Sequence, residues 1–308
     1  MEREFIAWLR KRLPGHPRLR LGPGDDAAVL SMAGVEDCVL TVDLLTDQVD
    51  FELGRVDPRR VGRKALAVNL SDLAAMAARP LAAVAAVALP RQGGGALARE
   101  LYEGMLPLAA EYDVAMAGGD TNSWDGPLVL SVTLLGATTA RGPLRRSGAR
   151  PGDRILVTGS FGGSLLGKHL DFEPRVREAL LLHERYELHA GIDTSDGLST
   201  DLAHLAEESG CGAVIQREAV PVSPAAGELA ARLADGSTAW DHALGDGEDF
   251  ELVLAVPPQE AERMLAQQPL GVPLTAIGQF VPEPGLWQRR GDGPRQPLAP
   301  SGWEHRFS

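Results

Sequence analysis

Six short acidic segments, most of them beside glycine, constrain this chain more than any other feature of its sequence. In chain order they lie at residues 24–26 (GDD), 41–43 (TVD), 69–72 (NLSD), 118–121 (GGDT), 193–197 (DTSDG) and 245–249 (GDGED). Apolar runs that predict strands or buried helices adjoin these segments. The carboxylates are therefore expected at element ends and tight turns, which is typical of cation ligands and not of solvated acidic faces.

Carboxylates that converge on one point repel each other strongly. Two like charges about 4 Å apart repel by roughly 4 kcal/mol at an effective dielectric constant near 20. A fold that gathers several of them needs divalent cations to hold them together. Oxygen-only ligands suit Mg²⁺, which carboxylates commonly hold together with the phosphates of a nucleotide. The acidic segments thus predict a site for Mg²⁺ and a nucleotide.

Composition and charge exclude several classes of function. The 308 residues, of which 44% are hydrophobic, suffice for two domains with real cores. A formal net charge of -12 argues against a nucleic-acid partner. Cys38 and Cys211 stand far apart in apolar contexts, which favours neither a disulfide framework nor a thiolate metal site. Without a signal segment or an apolar run of about 18 residues, we expect a soluble, cytoplasmic protein with no membrane partner.

Strands and helices alternate along the chain, which predicts an α/β (α+β) fold. A basic stretch rich in Gly and Pro at residues 139–153 marks the expected junction between domains at 1–140 and 150–308. In the first half we expect helices at 2–13, 57–78 and 96–111, and strands at 27–30, 38–43, 81–89, 114–117 and 128–138. In the second half we expect helices at 163–170, 175–182 and 198–209, and strands at 154–158, 213–216, 250–256 and 274–280.

Asp72 illustrates the choice between structural and metal-binding roles. The residues from 65 to 78 are almost all apolar, so the helix that carries Asp72 is expected to be buried. A buried carboxylate needs a partner or a cation. A structural hydrogen bond to Asn69 or Arg79 is the alternative, but the other acidic segments favour the metal.

The remaining segments differ in how specific they are. Gly118 and Gly119 would let the backbone approach a phosphate, with Asp120 beside its Mg²⁺, although the segment taken alone favours a plain turn. Residues 193–197 close a strand and open a helix, and their two carboxylates exceed what a helix cap requires. Residues 162–168 fit the P-loop pattern GxxxxGK, but His169 stands where a P-loop needs Ser or Thr.

Taken together and in this order, the motifs resemble the thiamine-monophosphate kinase family, within the larger aminoimidazole ribonucleotide synthetase-like superfamily of ATP-binding enzymes. The most specific stretches are KALAVNLSDLAAM at 64–76, GGDT at 118–121, RSGA at 146–149, IDTSDGL at 192–198 and GEDFEL at 247–252. The resemblance implies an N-terminal sheet domain that dimerises and a C-terminal mixed α/β domain that closes over nucleotide and substrate. It also implies transfer of the ATP γ-phosphoryl group to thiamine monophosphate, giving thiamine diphosphate.

The resemblance further implies roles for individual residues. Ligands of several Mg²⁺ ions are expected at Asp26, Thr41, Val42 (through its backbone), Asp43, Asp72, Asp120, Asp193 and Asp196. Contacts to ATP are expected at Tyr102, Gly119, Asp120, Arg146 and Ser195. Contacts to the thiamine moiety are expected at Asp50, Glu248 and Trp303. Asp43, Asp120 and Arg146 are expected to act most directly in phosphoryl transfer.

The chemistry of these residue types agrees with that role. Phosphoryl transfer depends on positioning and charge neutralisation, and Arg146 offers a planar set of donors to a moving phosphoryl group. Trp303 suits a flat cationic thiazolium, although docking of the chain end onto the core explains it equally well. Asp50 stands where many family members have His, and the stretch 170–193 is shorter than usual.

Three functions remain open from the sequence. The first is a kinase acting on thiamine monophosphate and ATP, working as a homodimer. The second is another enzyme of the superfamily that forms an acyl or carboxamide phosphate. The third is a Mg-nucleotide-binding module without catalysis.

Overall fold

Two β-sheets, each built from its own half of the chain, organise the molecule. The structure is a computed structural model that describes residues 19–21, 25–31 and 37–304. The helix predicted at 2–13 and Gly24 lie outside the described residues. Among the helices in the described ranges, none is long and apolar enough to cross a bilayer.

The first sheet has the strand order β1-β2-β3-β6-β4-β5. Its strands are β1 (Leu19–Leu21), β2 (Ala28–Leu30), β3 (Cys38–Thr46), β4 (Arg79–Pro90), β5 (Ala115–Trp124) and β6 (Val129–Ala137). All neighbours pair antiparallel except β4 and β5, which are parallel. Strand β3 pairs with β6 along its whole length, and this fixes which of its side chains face the core.

Side chains alternate between the two faces of β3, as the period of a strand requires. Thr41 and Leu45 are buried on the inner face, and Asp43 lies between them on that face. Val42 and Leu44 point the other way, and each is 62% exposed. The register of β3 thus turns the carboxylate of Asp43 towards the interior of the molecule.

Two helices cover the inner face of this sheet: α1 (Pro58–Ala75) and α2 (Gly94–Glu111). Helix α1 begins where the sequence predicts, because the side chain of Asp57 accepts a hydrogen bond from the Arg59 N–H at 2.9 Å and Pro58 opens the first turn. Apart from a few positions in its first two turns and Asp72, it is buried, as its apolar composition predicts. It ends three residues before the predicted 78, because the chain turns at Ala77 with a φ of 47°.

The second sheet has the strand order β13-β12-β9-β11-β7-β10-β8. Its strands are β7 (Arg154–Thr158), β8 (Ala190–Asp193), β9 (Gly212–Gln216), β10 (Leu252–Val256), β11 (Leu274–Val281), β12 (Gly285–Arg289) and β13 (Gln296–Pro297). The helices of this half are α3 (Lys168–Asp171), α4 (Val176–Arg185), α5 (Leu198–Glu208), α6 (Pro224–Leu233), α7 (Ala239–Gly245) and α8 (Pro258–Gln267). Helix α1 of the first half also contacts α3, α4 and β8, so it lies at the junction of the two halves.

The structure departs from the sequence prediction at two places that matter for the site. Residues 118–121, expected as a turn, lie inside β5. A Cβ at Gly119 would stand 1.8 Å from the carbonyl oxygen of Ala85, so glycine is what lets β5 lie against β4. Strand β10 begins at Leu252 and not at Phe250, because Glu248 and Phe250 have φ angles of 52° and 51°, outside the strand region. Helices α6 to α8 and strands β1, β12 and β13 were not predicted.

The close approach of α1 and α2 depends on glycine. A Cβ at Gly104 of α2 would stand 1.8 Å from the carbonyl oxygen of Arg59, and one at Gly62 of α1 would stand 1.9 Å from that of Leu101. Backbone atoms cannot move aside as a flexible side chain can. The two helices must therefore separate if either glycine gains a side chain.

We expect Gly104→Ala to destabilise the protein by about 2–3 kcal/mol, because the added methyl group overpacks this contact. Gly95→Ala in the same helix is the matched control, since no atom of the described residues lies within 4 Å of its Cβ position. Helix propensity predicts that this control is stabilised by about 0.5–1 kcal/mol. Thermal unfolding by scanning calorimetry measures both, and equal melting temperatures for the two variants would contradict the close contact.

Candidate active site

Three carboxylates from distant parts of the chain meet at the junction of the two halves. Asp26 precedes β2, Asp72 lies in the last turn of α1, and Asp193 ends β8. One oxygen from each of them lies within 4.8 Å of the others. All three were predicted from the sequence as metal ligands, and the fold brings them together.

Hydroxyl groups hold two of these carboxylates in place. Thr41 of β3 donates a hydrogen bond to Asp72, and Ser71 donates one to Asp193 at 2.5 Å. The predicted alternative partner Asn69 is engaged elsewhere, because its amide donates to the carbonyl oxygen of Ala65 at 3.0 Å. Asp72 is thus hydrogen-bonded to Thr41, and its role as a metal ligand stays a prediction.

The cluster is short of positive charge. Burial, reinforced by the charge of Asp26, raises the pKa of Asp193 to about 8. Burial also raises the pKa of Asp72 well above its ordinary value, with Asp43, Asp193 and Asp26 adding to the effect. For Asp43, burial and the charge of Asp50 raise the pKa to about 6.

The contacts of Asp43 also indicate that the cluster lacks positive charge. Its Oδ2 atom is buried and has no hydrogen-bond partner within the part of the chain that the structure describes. A buried carboxylate oxygen without a partner is unfavourable. A cation at this oxygen would satisfy it, so the donor set fits a divalent metal.

Arg146 offsets part of the negative charge. Its guanidinium donates to both oxygens of Asp26, at 2.7 and 2.9 Å, and its backbone N–H donates to Asp25 at 3.2 Å. Although burial alone would lower the pKa of Arg146, the charge of Asp26 raises it further above its ordinary range. Arg146 therefore stays cationic beside the cluster. Burial and Asp26 raise the pKa of Asp25 to about 7.

The turn at residues 193–197 is fixed by an acid that the sequence analysis missed. Asp201, in the first turn of α5, accepts hydrogen bonds from the N–H groups of Asp196 and Gly197 at 3.1 and 2.9 Å. Burial, with the charges of Asp196 and Asp193, raises the pKa of Asp201 well above its ordinary value. Its position four residues after Gly197, at the start of a helix, was a signal available in the sequence.

A cavity of about 370 Å³ lies beside the cluster. Its walls combine acidic, apolar and aromatic side chains: Asp43, Leu44, Leu45, Val49, Asp50, Val68, Leu165, Ser195, Asp196, Asp246, Glu248, Phe250 and Trp303. The three predicted thiamine contacts and the predicted ATP contact Ser195 are thus gathered at one place. Among the described residues that line it, none is Lys or Arg. A cavity of this size and charge suits a small organic cation.

Lys64 of α1 is a second residue that the sequence analysis missed. Its side chain is fully buried, and its ammonium group donates to the Glu248 carboxylate at 2.5 Å and to the Asp50 carbonyl oxygen at 2.9 Å. The available signal was a lysine directly before the apolar run 65–68 of a buried helix.

Several predicted residues are not gathered with the cluster. Asp120 is exposed on β5, the edge strand, and accepts a hydrogen bond from the Thr121 N–H at 2.9 Å. Across the sheet, Gly119 of β5 aligns with Ala85 of β4, which aligns with Val132 of β6 and then Asp43 of β3. Gly119 is therefore three strand spacings, or ~14 Å, from β3. Tyr102 is half-buried in α2 and packs against the core. Val42 points to the outer face of the sheet, so only its backbone is available as a ligand.

Comparisons with known proteins place this geometry in a family. Residues 24–138 match the family model of the AIR synthase related protein, N-terminal domain, and residues 150–286 match that of the C-terminal domain. A protein of Rhodopirellula baltica named thiamine-monophosphate kinase is 42% identical over 99% of this chain and 97% of its own length. The chain belongs to the thiamine-monophosphate kinase family. The family and the two-sheet α/β fold predicted from the sequence are therefore confirmed.

Other members of the thiamine-monophosphate kinase family agree. The protein of that name from Escherichia coli is 35% identical, over 93% of this chain and 92% of its own length. A solved structure described as AaThiL complexed with AMPPCP and TMP matches with a TM-score of 0.83 and 27% identity, covering 99% of this chain and 97% of that one.

The raised pKa values of the cluster predict how stability depends on pH. The carboxylates of the cluster bind more protons in the folded chain than in the unfolded chain between about pH 4 and pH 8, so their contribution to the free energy of unfolding falls as pH rises through this window. In a chelating buffer we expect Asp193→Asn to stabilise the protein by about 1–3 kcal/mol at pH 8.5, because the neutral amide removes a buried charge. At pH 5 the gain should be smaller, because the folded chain then keeps Asp193 protonated and only the unfolded chain ionises it.

Asp235→Asn is the control for this experiment. Asp235 is exposed, and its hydrogen bond from Ser237 lowers its pKa, so it does not titrate between pH 5 and pH 8.5. Melting temperatures across this pH range give the comparison. A constant difference between Asp193→Asn and wild type would show that Asp193 carries no raised pKa.

Proposed function

We propose that this chain transfers the γ-phosphoryl group of ATP to thiamine monophosphate and so forms thiamine diphosphate. The observation that carries the proposal is the acidic cavity of about 370 Å³ directly beside the carboxylate cluster. The cavity suits the thiamine cation, and the cluster suits the phosphates with their metal ions. Relatives named thiamine-monophosphate kinase, and a neighbouring structure described as complexed with AMPPCP and TMP, support the same reaction.

Glu248, Trp303 and Asp50 are the proposed contacts of the thiamine moiety. The indole of Trp303, which is 55% exposed, offers a flat face to a thiazolium through a cation–π contact. The carboxylate of Glu248 provides a charge partner for the same ring. Leu45, Leu165 and other apolar side chains of the cavity supply the remaining wall.

The carboxylate cluster is the proposed Mg²⁺ site. Asp26, Asp43, Asp72 and Asp193, with Thr41 and Asp196 beside them, provide the hard oxygen ligands that Mg²⁺ prefers. The unpartnered Oδ2 atom of Asp43 and the raised pKa values support this assignment. When bound, Mg²⁺ supplies neutralisation of the negative charge that two sets of phosphates bring together.

Within this site the protein contributes orientation and charge. Arg146 is held by Asp26 and Asp25 at the edge of the cluster, where its guanidinium is available to a phosphoryl group in transit. Ser195 is part of the turn that joins the cluster to Glu248, because its carbonyl oxygen accepts the Glu248 N–H at 2.7 Å. Phosphoryl transfer needs no further covalent group from the protein.

The remaining roles rest on the family resemblance. We propose Gly119, Asp120 and Tyr102 as nucleotide contacts, with Asp120 and the backbone of Val42 also serving as metal ligands. These residues lie apart from the cluster in the structure, so they stay predictions. Asp120 is the one whose side chain allows a direct test.

We also propose two domains at 1–140 and 150–308, and a cytoplasmic homodimer. The strands of each sheet come from one of these two stretches, which supports the division. The outer face of the first sheet exposes a row of apolar side chains, Val42, Leu44, Leu81 and Val84. An exposed apolar sheet face of this kind supports association with a second copy.

Chromatography of the reaction products tests the proposed reaction. The purified chain, incubated with Mg²⁺, ATP and thiamine monophosphate, should form thiamine diphosphate and ADP in equal amounts. Neither product should form with EDTA, and free thiamine should not replace the monophosphate. ADP without thiamine diphosphate would indicate another substrate of the superfamily, and no ADP at all would favour a binding module.

Asp120→Asn tests the nucleotide contacts on the edge strand. We expect turnover to fall by about 100-fold or more while the melting temperature is unchanged, because the charge is lost at an exposed position. Asp125→Asn is the control, since Asp125 is also exposed at this edge and pairs with Arg91. Steady-state rates compare the two, and near wild-type turnover in Asp120→Asn would remove Asp120 from the site.

A further inference from the structure

A fully buried lysine stands behind the acidic cavity. The side chain of Lys64 is 0% exposed, and it does not belong to the walls of the cavity itself. Its ammonium group instead reaches two residues that do, donating to the Glu248 carboxylate and to the Asp50 carbonyl oxygen. The lysine thus contacts both proposed thiamine-binding residues without lining the cavity itself.

These two contacts join the two halves of the protein. Asp50 belongs to the turn after β3 in the first half, whereas Glu248 precedes β10 in the second. Lys64 itself is carried by α1, the helix at the junction. Burying a charge is unfavourable unless it is paired and hydrogen-bonded, so the ammonium group requires both partners at hydrogen-bond distance. Its position therefore fixes the separation of the Asp50 turn and the Glu248 carboxylate, which both belong to the cavity wall.

The conformation of Glu248 shows why it needs such support. Its backbone has a φ of 52°, a region that residues with side chains rarely adopt, and its N–H donates to the Ser195 carbonyl oxygen. Its carboxylate is 26% exposed, in a cavity that Asp43, Asp196 and Asp246 also line. Repulsion from those acids would turn an unpaired Glu248 carboxylate towards solvent.

We propose that Lys64 is a positioning residue for substrate specificity: it holds the Glu248 carboxylate and the Asp50 turn in the geometry that binds the thiamine cation. The inference rests on the proposed function, and it concerns affinity for thiamine monophosphate and not the transfer step. Loss of Lys64 should weaken binding of the organic cation while leaving the metal cluster and ATP unaffected.

Arg60 provides a matched control on the same helix. It lies one turn before Lys64 and also pairs across the junction, because its Nε donates to Asp171 at 3.0 Å. This pair is exposed to solvent and takes no part in lining the cavity. Arg60→Met therefore removes a connection between the halves without disturbing the cavity wall.

Steady-state kinetics of the full chain separate the two roles. We expect Lys64→Met to raise the KM for thiamine monophosphate by about tenfold or more, with kcat and the KM for ATP within about twofold of wild type. Arg60→Met should leave all three values unchanged. In a Glu248→Gln background, Lys64→Met should add little further change, because the lysine acts through that carboxylate.

Lys64→Arg provides a second measurement if Lys64→Met does not fold. It keeps the positive charge but replaces a compact ammonium with a wider planar group, so a raised KM for thiamine monophosphate is again expected.

The proposal is overturned if Lys64→Met, or Lys64→Arg in its place, binds thiamine monophosphate as wild type does. It is also overturned if kcat and both KM values change together, or if the effects of Lys64→Met and Glu248→Gln multiply. Failure of the proposed function is a different result: the wild-type chain would then form no thiamine diphosphate. Calorimetric titration with thiamine monophosphate compares wild type and variants in that case, and equal affinity would still refute the role of Lys64.

Discussion

Mutual repulsion among buried carboxylates is the constraint on which the arrangement of this protein depends. Asp26, Asp72 and Asp193 come from three elements that pack well only if their charges are compensated. Arg146 supplies one positive charge, and the Oδ2 atom of Asp43, which has no partner among the described residues, indicates that more is needed. Packing of α1 between the two halves brings these carboxylates together, and a bound cation would hold them there. Packing and cation binding therefore stabilise each other.

Helix α1 serves both kinds of interaction at once. Its last turns carry Ser71 and Asp72 into the cluster, while Lys64, two turns earlier, reaches the cavity. Gly62 brings it close to α2, which fixes its position over the first sheet. A single rigid element thus sets the distance between the place where phosphates are held and the place where an organic cation is held.

Much of this site could be predicted from the sequence, because the chemistry of Asp in Gly-flanked segments is specific. The strands β3, β7 and β11, and the start of α1 at Asp57, follow from periodicity and capping. Lys64 could not be assigned, since its function depends on Glu248, which lies far along the chain. Residues 118–121 were expected as a turn because glycine pairs favour turns, whereas the pairing of β5 with β4 overrides that preference.

The backbone of Glu248 and Phe250 has a consequence for how this protein can change. Both residues occupy a conformation that glycine adopts without strain and that other residues adopt at a penalty of about 1 kcal/mol each. Glycine at either position would relieve that strain, but it would leave the buried Lys64 ammonium without its carboxylate, or remove the Phe250 ring, which is 5% exposed and stacks on Phe172. Each of these losses would destabilise the protein by about 3 kcal/mol or more, which exceeds the strain relieved. Stability and ligand binding thus favour the same residues at this segment, and variants selected for heat resistance alone should keep both of them.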